Sequence, residues 1–174
     1  MALSLYDITV PNYLQILGAV KNVLAKGAEH ATANGGNPDD LLNLRMTDDM
    51  HPMTFQIISV WHHSLGAIRG IEAGVFTPPP KVDVEGWKGY AGLVDEAIEA
   101  LEALTPEAVN AMSGNPMKFK MGDFEIPFTT ESFVQTFSQP NFYFHATAIY
   151  ALLRADGVNL GKMDYLGAVR THQE

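Results

Sequence analysis

Four long stretches of this sequence repeat apolar residues every three to four positions, and that period restricts the chain to a bundle of helices. The first stretch opens at Thr9-Val10-Pro11, where proline is tolerated in a helix's first turn. Tyr13, Leu14, Leu17, Val20, Leu24 and Ala28 then share one face, and Gly35-Gly36 ends it. Asn37-Pro38-Asp39-Asp40 caps one short turn. The second stretch comes after Thr47-Asp48-Asp49, with Met50, Thr54, Ile57, Trp61, Leu65 and Ile68 facing inward. Gly74 and Pro78-Pro79-Pro80 stop it. The third runs from Gly86 or Trp87 to Leu104, on Tyr90, Leu93, Val94, Ala97, Leu101 and Leu104. The fourth begins at Thr129 or Thr130 and ends near Ala155-Asp156-Gly157, with Pro140 expected to kink or break it.

Between the third and fourth stretches the period changes. Thr105-Pro106-Glu107 opens a short helix to about Ser113. Residues 117-128 then alternate around Gly122-Asp123, which predicts a small β-hairpin, with Pro127 confined to an edge position. The tail from Val158 reads as irregular, with Tyr165-Leu166 packed down. The expectation is all-α: a four-helix bundle with long connections that leave room for crossovers, and residues 1-174 as one domain.

Composition removes several function classes. The formal charge of -9 disfavours binding to nucleic acid, which rests on neutralising phosphates. Between Glu72 and Glu107 eight acidic residues face two lysines, read as a solvated helix face. Cysteine is absent, so disulfides, thiolate nucleophiles and cysteine-zinc sites fall together. Met1 to Asp7 carries no basic leader, and no apolar run approaches the roughly 20 residues that span a bilayer. A soluble cytoplasmic protein is expected, with no membrane partner.

The candidate chemistry lies in Asn141-Phe142-Tyr143-Phe144-His145. At about 100° per residue Phe133, Phe137, Asn141, Phe144, Ala148 and Leu152 share one side of the fourth helix, with Asn141 and His145 near its middle. Buried polar groups need partners. Asn141 or His145 therefore either satisfies backbone freed by Pro140 or anchors a ligand, with Phe55, Trp61 and Phe144 as walls. On the second helix His51 and His62 lie eleven residues apart and share a side, whereas His63 points to surface or interface. His51, His62 and His145 form the candidate metal set, for zinc, nickel or iron. His30 and His172 carry less. There is no glycine-rich nucleotide loop, no nucleophile elbow and no Glu-x-x-His. Tyr143, Thr147 and Tyr150 make a separate strip suited to a symmetric subunit contact.

These segments resemble the DUF1993 family of bacteria and fungi. The resemblance rests on Ser4-Leu5-Tyr6-Asp7 through Val10-Pro11, on Leu42-Asn43-Leu44-Arg45-Met46 with Asp49-Met50, and on Asn141 to His145 continuing through Tyr150-Ala151-Leu152-Leu153-Arg154. It extends over Gly157-Val158 and Gly161 to Gly167. The family in turn resembles the DinB/YfiT-like group. That likeness implies a DinB-like four-helix bundle, often dimeric, with a divalent metal held by one histidine of the second helix and two of the fourth spaced by four. His51 and His145 are the matching positions here, and Ile149 stands where the third histidine would be. Three functional readings are open: a homodimer with a small-ligand pocket near His145, a metal-dependent hydrolase or transferase, and a non-catalytic interaction protein.

Overall fold

The structure, a computed structural model, describes residues 3–171, so His172 lies outside the described residues. A short helix α1 (Leu5–Ile8) is closed by a reciprocal cap between Ser4 and Asp7, and α2 (Val10–Ala33) begins at once. A 3-10 turn, Pro38–Asn43, is capped by the Asn37 side chain, as its sequence predicts. The second long element is α3 (Met53–Trp61), a π-helical turn (His62–Gly66) and α4 (Ala67–Ala73), ended by Gly74 at φ +69°. After β1 (Val75–Phe76) the proline-rich chain returns to α5 (Gly86–Glu102), whose second residue donates its N–H to the Asp39 carboxylate at 2.7 Å. Then come α6 (Pro106–Asn110), β2 (Pro116–Met121) and β3 (Phe124–Thr129). The last long element is α7 (Thr130–Phe133), a second π turn (Val134–Ser138) and α8 (Gln139–Ala155). A short α9 (Lys162–Leu166) occupies the tail.

Among the long helices α2 packs on α5 and α8, with α9 laid against it as well, and α3 packs on the same two long helices, so α2 and α3 lie diagonally across the bundle. Side-chain pairs set the directions. Ser138 binds the His63 carbonyl at 2.9 Å and His145 binds Gln56 at 2.7 Å, so α8 runs opposite to α3. Tyr13 meets Ser138 while Gly27 meets Leu153, so α8 runs with α2. Lys21 pairs with Asp95 at 2.7 Å while Ala28 and Trp87 share one cleft, which makes α2 and α5 antiparallel. The order is therefore up, down, down, up. The segment from Gly74 to Glu85 must run the length of the bundle to start α5 at the opposite end, which is the crossover that its length allowed.

The hairpin forms as the sequence predicts, with Gly122 at φ +59° in the first central position of its two-residue turn. The sequence pattern does not reveal β1, which pairs in parallel with β2 at Val75↔Lys118 and Phe76↔Phe119. Two residues are too short to show a period.

Both π turns rotate the helix beyond them. The second lies just before Pro140, which has no N–H and whose ring would clash with the Thr136 carbonyl in a regular α-turn. The widened turn gives the Gln139 N–H to the Val134 carbonyl instead. One inserted residue turns every later side chain by about 100°. The inward face of α8 is thus centred on Phe142, His145, Ala146, Ile149 and Leu153; of the expected face Ala148 and Leu152 are buried, while Asn141 and Phe144 are not. No helix among the described residues is long and apolar enough to cross a membrane.

Candidate functional site

Three of the six histidines are buried in one cluster. His62 and His63 belong to the first π turn, and His145 faces them from the middle of α8. The rings of His63 and His145 lie 6.1 Å apart and nearly parallel. Phe76 stacks on His62 at 4.3 Å and tilts over His63 at 5.2 Å. Phe137 closes the far side of His63, and Phe55 and the exposed Phe144 flank His145 edge-on.

One polar side chain organises this cluster. Gln56 is buried and bridges His51 to His145: its amide nitrogen donates to the His51 carbonyl at 2.9 Å, and its Oε1 meets His145 Nδ1 at 2.7 Å. A backbone carbonyl only accepts, so the amide orientation is settled and His145 Nδ1 must be the donor. In a neutral imidazole Nε2 then keeps its lone pair. Among the described residues that nitrogen has no partner, and it is not fully buried. It therefore reaches solvent. His63 Nδ1 is fully buried with no partner. Such a group costs on the order of 1–3 kcal/mol and calls for an explanation. His62 Nε2 donates to the Thr77 carbonyl at 2.7 Å.

Burial keeps all three rings neutral. It pushes His63 down to about 3, assisted by repulsion from His62 and His145. It pushes His145 down to about 4, assisted by His51. His62 is lowered by the same desolvation, with the Thr77 carbonyl working against it.

The predicted site residues scatter more widely than their spacing suggested. His51 precedes α3, since Pro52 is the helix's N-cap residue, and its exposed ring stacks on Phe55 at 4.2 Å. His51 and His62 therefore do not share a helix side. Asn141 gives its side-chain N–H to the Phe137 carbonyl at 2.7 Å, a backbone role beside Pro140. Trp61 turns to α5, where its N–H reaches Glu96 at 3.2 Å. Phe144 is 56% exposed and lines a shallow apolar cavity of about 360 Å³ with Met46, Met50 and Thr147. His63, read as a surface residue, is only 8% exposed and stands beside His145. His63 was missed because the π turn lies between regular helical segments and leaves no mark in a regular 3.6-residue pattern. The Tyr143-Thr147-Tyr150 strip is covered in part by the chain's own Tyr165, whose hydroxyl lies 3.2 Å from that of Thr147.

A larger cavity, about 880 Å³, lies between the end of α2 and the start of α5, lined by Ala28, Thr32, Asp39, Glu85, Trp87 and Lys88. Its Asp39 carboxylate is already engaged by the Trp87 N–H. The imidazole cluster has the better claim to chemistry, since it holds a buried group that nothing among the described residues satisfies.

The family described as Domain of unknown function (DUF1993) matches residues 5–166. The chain belongs to the DUF1993 family. It is also similar to a DinB family member from Shewanella denitrificans, known from its crystal structure. The two share 25% identity over 98% of this chain and 96% of the other, with a TM-score of 0.80. No curated protein matches. The DUF1993 chain thus has the DinB-like bundle expected of it. Its residues do not fit the divalent metal that this likeness implies. Among the described residues no group of three or more His, Asp or Glu stands where it would hold an ion. His62 points to Thr77 and His145 Nδ1 is tied to Gln56. Ile149, where a further histidine would stand, is fully buried and apolar.

Proposed function

We propose that this chain is a small-molecule-binding bundle whose site is the imidazole pair of His63 and His145, walled by Phe55, Phe76 and Phe137. The observation that carries this reading is the unpartnered, fully buried Nδ1 of His63 beside a His145 whose Nε2 is also free. Two uncommitted imidazole nitrogens among aromatic rings make the combination of apolar walls and few polar anchors that small-molecule sites use. Phe144 covers His145 from outside, 5.2 Å from its ring, and must swing aside for a ligand to enter. A fragment library screened against the isotope-labelled protein should shift the imidazole resonances of His63 and His145, and His145→Phe should abolish those shifts. Fragments that gather only in the cleft beside Trp87 would overturn the proposal.

A second reading, self-association, is favoured by the exposed apolar side chains of Met46 and Phe144 around the shallow cavity on α8. Sedimentation at micromolar concentration should then give a dimer that Phe144→Asp disperses. A monomer in the unaltered chain rejects it.

A further inference from the structure

We infer that the site selects small neutral molecules that donate a hydrogen bond over isosteres that only accept one, and that Gln56 is the positioning residue that imposes this choice. The inference rests on the reading of His63 and His145 as a binding site and gives it a ligand class.

The selectivity originates at the backbone. The His51 carbonyl lies just before α3 and accepts from Gln56 Nε2 at 2.9 Å. This turns Gln56 Oε1 towards α8, where it accepts from His145 Nδ1 at 2.7 Å. His145 has one proton to give while neutral, and Gln56 takes it. The group left towards solvent is then a bare lone pair on Nε2. A free imidazole can switch tautomer to suit either kind of ligand, but here a switch would break the bond to Gln56 inside an apolar setting. A ligand hydroxyl or amide N–H meets the lone pair. An ether or ester oxygen in the same place sets lone pair against lone pair and leaves Nε2 dry and unpaired. Neither His63 nor His145 carries charge at neutral pH, so the pair offers no cation to hold an anion. Together these features describe a site for phenols, alcohols or primary amides.

The test uses the full chain, labelled with ¹⁵N, and two probes of similar shape: phenol, which donates, and anisole, which does not. Without ligand, His145 should show a protonated Nδ1 and a bare Nε2. Phenol should shift the Nε2 resonance, and anisole should bind on the order of tenfold more weakly or worse. Gln56→Leu should release the tautomer and bring the two probes to within about twofold of each other. If Gln56→Leu does not fold, the His145 tautomer and the phenol-to-anisole ratio of the unaltered chain still decide. A proton found on Nε2 of His145, or anisole binding at the pair as tightly as phenol, overturns the inference while the binding site stands. If no probe or fragment touches either imidazole, the binding site itself falls, and the inference with it.

Discussion

Between pH 6.5 and about 4 the folded protein should lose several kcal/mol of stability, and His63→Leu should remove the largest single share of that loss. The folded chain holds His63 near 3 and His145 near 4, whereas the unfolded chain exposes both at the ordinary 6.5. Both folded values are depressed, so within this window the unfolded state binds more protons and stability falls with pH. The contribution is fully present above about 6.5. It declines as the pH drops and is exhausted once the folded values are passed. Each unit of separation is worth about 1.4 kcal/mol, which sets the order of magnitude. The carboxylates held below their usual range, Asp7, Asp49, Glu125, Glu131 and Asp164, have unfolded values of 3.8 or 4.5 and enter only at the acid edge. Urea unfolding followed by Trp61 and Trp87 fluorescence across this range measures the slope. At pH 7.5 His63→Leu should cost little, because it replaces a buried nitrogen that has no partner with carbon. A variant with an unaltered slope would show that His63 is protonated or wet in the folded state.

The second large effect separates two aromatics that stand two residues apart. Phe142→Ala should cost about 3–5 kcal/mol and Phe144→Ala less than about 1. Phe142 is fully buried, edge-on to Tyr13 at 5.0 Å, where α8 meets α2. Phe144 is mostly in water. A regular helix continued from Phe133 and Phe137 reverses this ranking, so the pair of variants tests the register shift made by the π turn. Equal losses in urea midpoint would mean that the helix is not shifted.

That register shift also marks where the sequence stopped being legible. The bundle, the hairpin and the caps at Asn37 and Thr105 were readable because each is written in local spacing or turn chemistry. On α5 the buried residues Leu93, Val94, Ala97 and Leu101 are those the period selects. The same period failed after Pro140, where it put Phe144 inside and left Phe142 unplaced. It failed likewise at His63. His145 lies on a face that a regular helix also buries, and half-buried Phe55 stands beside it. Gln56 was missed, since an amide on a helix looks like a surface residue until its two partners are known. Trp61 was located on the correct helix and assigned to the wrong neighbour, because nothing local announces that Glu96 lies opposite.

Phe76 comes to rest on His62 and His63 through the parallel pairing of β1 with β2, a strand that lies beyond α5 and α6 in the chain. The burial of these imidazoles therefore depends on a contact between segments far apart in the chain. Any change that loosens the hairpin lifts Phe76 away, admits water to both rings and returns their basicity towards the ordinary value. Proton affinity at the centre of the bundle is set from its end.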